Sequence, residues 1–158
     1  MSVLIQGDQL RTVLLGSAVS KATGTVANGV TTLFTIAGGR VVITSLVGRV
    51  TTLIGSTASN CKLTYNPTAA GTSFDLCTAV AIETDAVEQT YYIAGSVASP
   101  GALLVGGAVG QANGVFSSPY NLQAGTIEQN LSADPVGGAI TWTVTYYPYD
   151  NGASLVAA

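Results

Sequence analysis

The segment Ile140-Thr141-Trp142-Thr143-Val144-Thr145-Tyr146-Tyr147 constrains this chain more than any other. Its large apolar residues fall on alternate positions: Ile140, Trp142, Val144 and Tyr146 share one face, and Thr141, Thr143, Thr145 and Tyr147 share the other. A period of two belongs to a strand with one buried face, because successive side chains of extended backbone point to opposite sides. On a helix the same residues would be spread around the circumference. Pro148 has no N–H to give to a ladder and ends the strand.

Weaker strand signals recur upstream. Residues 31–37 lead into Gly38-Gly39, a two-residue hairpin signal, so this strand is predicted to pair with the next. Residues 40–54 are rich in Val, Ile and Thr and apolar on both faces, with Val41, Ile43 and Val47 on one and Val42, Leu46, Val50 and Ile54 on the other. That pattern predicts either a central strand covered on both sides or a bulge near Gly48 that changes the phase. Residues 61–78 read as a hairpin turning around 67–71. One register sets Cys61 opposite Cys77; a slip by one sets Leu63 opposite Leu76 and Tyr65 opposite Phe74. A slip exchanges the faces of a strand, so the apolar match decides for the second register. It places the two cysteines on opposite faces, as buried thiols suited to a reducing cytoplasm.

Residues 79–90 are predicted to be a loop with one helical turn, 89–95 a strand and 102–105 a short strand. Residues 125–131 form a further strand with Ile127 and Leu131 inward, and Asp134-Pro135 and Gly137-Gly138 turn the chain. About eight short strands separated by Gly and Pro turns describe an all-β fold, an antiparallel β-sandwich of jelly-roll-like type. Lys, Glu and Met, which favour helices, are scarce. The sandwich is assigned to residues 29–158 and an extended N-terminal arm carrying one strand to residues 1–28. A chain of 158 residues buries about two thirds of its unfolded surface and needs no disulfide or metal staple.

Charge and residue chemistry remove most function classes. Only 8% of residues are charged and there is no histidine. That excludes Ser-His-Asp and Cys-His nucleophiles, HExxH zinc sites and imidazole switching. A net charge of -3 without a basic cluster argues against nucleic-acid binding through phosphates. The first eight residues lack the basic segment and long apolar run of a signal peptide. Residues 89–127 carry no charge, but their glycines, serines and Pro100 predict short strands rather than a membrane span. A surface of hydroxyls and amides is cheaper to dehydrate against a partner than one of ions, which points to an assembly protein.

Candidate chemistry is sparse. Glu83, Asp85 and Glu88 form the acidic cluster, but their spacing matches no calcium loop, and a solvated loop is the expectation. Gly106-Gly107-Ala108-Val109-Gly110 ends without the Gly-Lys-Ser/Thr of a phosphate loop. Ser56 and Ser96 follow glycines but have no histidine to act as base. Tyr91-Tyr92 and Tyr146-Tyr147 could stack sugars or bases, yet alternation turns one of each pair into the core. No catalytic, cofactor-binding or metal-binding residues are assigned, no cofactor is expected, and the chain is not expected to be an enzyme.

Three stretches together carry a family resemblance. They are Gly38-Gly39-Arg40-Val41-Val42-Ile43-Thr44-Ser45-Leu46-Val47-Gly48 with Val50-Thr51-Thr52; Phe74-Asp75-Leu76-Cys77 with Thr84-Asp85-Ala86-Val87 and Tyr91-Tyr92-Ile93-Ala94-Gly95; and Ala124-Gly125-Thr126-Ile127 with Gly138 through Pro148. The chain resembles small virion proteins of tailed bacteriophages, the capsid decoration or minor capsid proteins. The resemblance implies a homotrimer made in the bacterial host cytoplasm and bound to the outer surface of the assembled head at threefold or quasi-threefold axes. Its partners would be the major capsid protein and itself, with neither nucleic acid nor membrane. The alternative is a tail or fibre component that binds a host receptor. For the decoration role, Val3, Leu4, Ile5, Val13, Leu14 and Leu15 are the candidates for contacting the capsid or a neighbour, since an extended apolar arm can add a strand to an exposed sheet edge. The other reading of the same residues is an arm folded on its own domain.

Overall fold

The computed structural model describes residues 7–93, 101, 103–106 and 115–158. One helix, α1 (Gly7–Leu15), precedes twelve strands: β1 (Ser17–Ala22), β2 (Gly29–Ala37), β3 (Val41–Thr52), β4 (Asn60–Pro67), β5 (Phe74–Asp75), β6 (Val80–Ala81), β7 (Thr90–Ile93), β8 (Leu103–Gly106), β9 (Val115–Leu122), β10 (Gly125–Leu131), β11 (Ala139–Pro148) and β12 (Ser154–Ala157). They form two antiparallel sheets. The first runs β1-β11-β3-β7-β8, with β9 on β3 as well; the second runs β12-β2-β10-β4-β5, with β6 on β4. The expected all-β sandwich is therefore the architecture of the molecule.

The alternating segment organises the first sheet. β11 lies between β1 and β3, and Ile140, Trp142 and Val144 are fully buried on its inner face. Trp142, Gly48 and Tyr91 are aligned across three neighbouring strands. The rings of Trp142 and Tyr91 stack at 6.1 Å between centroids. A Cβ added to Gly48 would lie 2.8–2.9 Å from the indole carbons, so this strand position holds glycine because the ring of Trp142 occupies the space. The indole N–H donates to Oε1 of Gln129, 2.6 Å away on the facing sheet. Gln129 is itself buried, so each group satisfies a polar atom that would be costly to leave unpaired.

The two-sided apolarity of β3 resolves into bulges. The pairing with β11 slips at Thr44 and again at Thr51, rather than near Gly48. The hydroxyls of these two threonines donate to the carbonyls of Thr145 and Ala139, each at 3.2 Å. Val41 and Ile43 face inward before the first slip, and Leu46 and Val50 after it. A bulge reverses the phase of alternation, so one buried face reads in the sequence as two.

Several other expectations are corrected. Gly38-Gly39 does not close a hairpin: β2 and β3 belong to different sheets, and the glycines carry the chain across the end of the sandwich. The loop of residues 79–90 contains β6 and two tight turns, with left-handed Thr84 and Glu88, rather than a helical turn. β9 and β12 were not expected as strands. β9 contains Pro119 and, among the described residues, pairs with β3 alone, an edge position that tolerates a residue without an N–H. Of the arm of residues 1–28, the one expected strand is present as Ser17–Ala22, an edge strand of the sandwich, but Gly7–Leu15 is helical rather than extended.

The 61–78 hairpin has the predicted register. Tyr65 pairs with Phe74, and Leu76 N–H donates to the Leu63 carbonyl at 2.8 Å. Both cysteines are free and buried, as expected, but they lie in the same core and not on opposite faces. Regular pairing with β4 stops at Asp75, which lets Cys77 turn inward; its sulfur accepts the Leu63 N–H at 3.3 Å. Burial pushes both thiols up, Cys77 to about 11, which leaves them protonated and unreactive.

The flanks of the sandwich are unlike. On one, Thr78 bonds to Gly101 and Leu103 through its N–H and carbonyl and so links the two sheets. On the other, edge strands β1 and β12 lie together, with the Lys21 ammonium donating to the carbonyl of Ala158.

Candidate interaction surface

The sequence-predicted contact residues divide in two. Val3, Leu4 and Ile5 lie outside the described residues. Val13, Leu14 and Leu15 form the last turn of α1 and are 71%, 65% and 62% exposed. Leu10, a residue the strand-like reading overlooked, is 49% exposed on the same helix. The spacing of Leu10, Val13 and Leu14, at i, i+3 and i+4, is the helical signal that could have found it.

The end of α1 is fixed. Gly16 follows it in the left-handed conformation, φ 83°, and its N–H donates to the Thr12 carbonyl at 2.9 Å. This is a glycine helix stop, and a Cβ there would lie 2.8 Å from the carbonyl oxygen of Tyr146. The Tyr147 hydroxyl donates to the Leu14 carbonyl at 2.9 Å, tying the last turn to β11. A nine-residue helix is marginal in water on its own, and most helical stability comes from covering an apolar face. Here that face is presented to the outside.

The same end of the sandwich holds a cleft of about 290 Å³, bounded by the 67–74 loop and by residues 121–123. Tyr65 and Phe74 pack at its base with ring centroids 5.3 Å apart, and Leu122 closes one wall. The Tyr65 hydroxyl donates to the Gln123 carbonyl at 3.0 Å, so it is already satisfied. No charged residue lines the cleft. Beyond it, Arg40 joins Asp150 through two guanidinium hydrogen bonds of 2.8 and 3.0 Å and lies over the Tyr149 ring. These bonds hold the Asp150 carboxyl below the usual carboxylate range.

The acidic cluster sits at the opposite end and its members go to different partners. Asp85 accepts the Tyr91 hydroxyl at 2.5 Å and the Gln89 amide at 2.9 Å. Burial nevertheless raises its carboxyl above the usual range. Glu88 pairs with Arg49 at 3.2 Å. Glu83 Oε2 is buried without a hydrogen-bond partner. Among the described residues no group of three metal-ligating side chains comes together. Of the tyrosine pairs, Tyr91 and Tyr146 turn inward as alternation predicts. In the uncharged 89–127 segment the described elements are β7, β8, β9 and the start of β10, and among the described residues no helix is long and apolar enough to cross a membrane. Residues 107–114, the remainder of the glycine-rich stretch, and Ser96 lie outside the described residues.

No family model, curated protein or solved structure matches the chain.

Proposed function

We propose that this chain is a decoration protein of a tailed bacteriophage, which binds the outer surface of the assembled head as a homotrimer and stabilises it. The observation that carries the reading is α1: a short helix, pinned at its C-terminal end to a well-packed sandwich, that offers Leu10, Val13, Leu14 and Leu15 to another molecule. The sparse charge of the surface supports it as well, since hydroxyls and amides lose little on being covered.

The mechanism is cementing. A trimer that touches several major capsid subunits must lose all those contacts before the subunits separate, so individually weak contacts become strong together. A protein that binds only the assembled lattice stabilises that lattice by mass action. The test uses undecorated heads, purified chain and sedimentation. Wild type is expected to co-sediment and to raise the temperature at which heads release DNA. Deletion of residues 2–15 is expected to abolish co-sedimentation while the far-ultraviolet spectrum of the sandwich is retained. A truncated chain that binds heads as well as wild type removes α1 from this role.

A further inference from the structure

The two buried thiols are brought together by an irregularity in the ladder of β4. That strand pairs with β5 at Thr64↔Asp75 and with β6 at Cys61↔Val80. Three residue steps on β4 thus face five on the partner side, so residues 76–79 carry two residues more than the ladder needs. Leu76 N–H donates to the Leu63 carbonyl at 2.8 Å, and Thr78 bonds to Gly101 and Leu103. Between these anchors Cys77 turns inward, and its sulfur takes the Leu63 N–H at 3.3 Å. Cys61 lies two residues before Leu63 on β4 and shares its inner face, about 6.7 Å away along the strand. Disulfides span roughly 4.4–6.8 Å between Cα atoms, so Cys77, lying against Leu63, needs only a small shift to reach Cys61. Burial, and after it the nearness of Cys77, raises the Cys61 thiol. Accepting the Leu63 N–H accounts for a sulfur at Cys77, but not for a second thiol one strand repeat away on the same face.

Independently of the proposed function, we propose that Cys61 and Cys77 are a latent disulfide, which a small-molecule disulfide of the glutathione class closes within the chain. In the closed sandwich both thiols are protonated and shut off from solvent, so the reaction waits for residues 76–79 to part from β4. The Cys77 thiol then gives its proton to water, and the thiolate attacks one sulfur of oxidised glutathione. A mixed disulfide forms and one glutathione thiolate leaves. As the segment returns, the Cys61 thiolate attacks the Cys77 sulfur, forms the protein disulfide and expels the second glutathione thiolate. The two protons lost by the cysteines end on the two glutathione thiols, so one disulfide is reduced and one is made. The new bond closes the 61–77 loop, which restricts the unfolded chain. It also pins the segment whose Thr78 links the two sheets.

The test treats the full chain with oxidised glutathione in mildly alkaline solution, at urea concentrations below the unfolding midpoint, and follows intact mass. The wild-type chain is expected to lose two hydrogens in mass, keep no glutathione and show no thiol to alkylation in denaturant. The rate is expected to rise with urea, because opening gates the reaction. The oxidised chain is expected to unfold at a higher urea midpoint than the reduced one, and dithiothreitol is expected to restore the reduced value. Cys61→Ser is expected to stop at the mixed disulfide and retain one glutathione, since the resolving thiol is gone. A wild-type chain that retains glutathione, forms disulfides between chains, or stays fully reduced below its midpoint overturns the proposal. So does an oxidised chain whose midpoint is lowered, because the bond would then distort the fold instead of stapling it.

Discussion

The core around Trp142 and the helix α1 use the same kind of side chain in opposite circumstances. Trp142 is fully enclosed, with Tyr91 stacked beside it, Gly48 under its ring and Gln129 on its N–H. Leu14 is mostly exposed, and its backbone carbonyl, rather than its side chain, is what the sandwich holds. Burial of apolar surface contributes about 25 cal/mol per Å² on folding; between chains the same gain is offset by the lost translational and rotational freedom of the partners. For Trp142 that gain is realised on folding. For α1 no such gain is made within the chain, and in the proposed role it would come from association. Under the proposed function, stability and assembly would be carried by separate residues and could be separated by substitution.

The largest effect belongs to the core. Trp142→Ala is expected to lower unfolding free energy by about 3–5 kcal/mol, from lost burial and the cavity left between the sheets. Gln129 would also lose the donor to its buried oxygen. Urea unfolding followed by tyrosine fluorescence measures it; a loss below about 0.5 kcal/mol, the size of an ordinary surface change, would mean the sandwich is not built around this ring.

What the sequence disclosed follows the same division. β11 and β10 were legible because each has a single buried face, so the period of two survives intact. The 61–78 register was legible because only one alignment matches Leu63 with Leu76 and Tyr65 with Phe74. β3 was ambiguous because the bulges at Thr44 and Thr51 are set by its partner strand, which local pattern does not reveal. Gly38-Gly39 reads alike whether the chain turns back within a sheet or crosses to the other. The run Val13-Leu14-Leu15 looked extended because three adjacent apolar residues suit a strand, and a helix with an uncovered face lacks the intrachain packing that such reasoning assumes. The cleft had no signal at all, since the 67–74 loop and residues 121–123 meet only through the fold.

Two carboxylates allow a finer comparison, between the far end and the helix end. Burial raises the Asp85 carboxyl, so its folded state keeps a proton that the unfolded state loses near pH 3.9, the ordinary value of about that size for aspartate. Its contribution to stability is complete below that point and is lost as pH rises through the raised folded value. Arg40 lowers the Asp150 carboxyl, so its contribution is present above the ordinary value and is lost as pH falls through the lowered one. Relative to wild type, Asp85→Asn should therefore gain stability as pH rises from about 3 to 6, and Asp150→Asn should lose it. Urea midpoints across that range decide the matter, and slopes of the same sign would contradict one of the two environments.

The smallest effect is expected at α1, and its smallness is the point. Leu14→Ser changes a side chain that touches little of its own sandwich, so at high dilution it should alter unfolding free energy by less than about 0.5 kcal/mol, the ordinary range for a surface position. The two proteins should diverge as concentration rises. A folded chain that associates through α1 is stabilised by mass action, so the wild-type midpoint should climb with protein concentration while that of Leu14→Ser stays level. Parallel midpoints for both, at every concentration, would mean that the exposed face of the helix takes no part in association, and the contrast with Trp142 would reduce to one of burial alone.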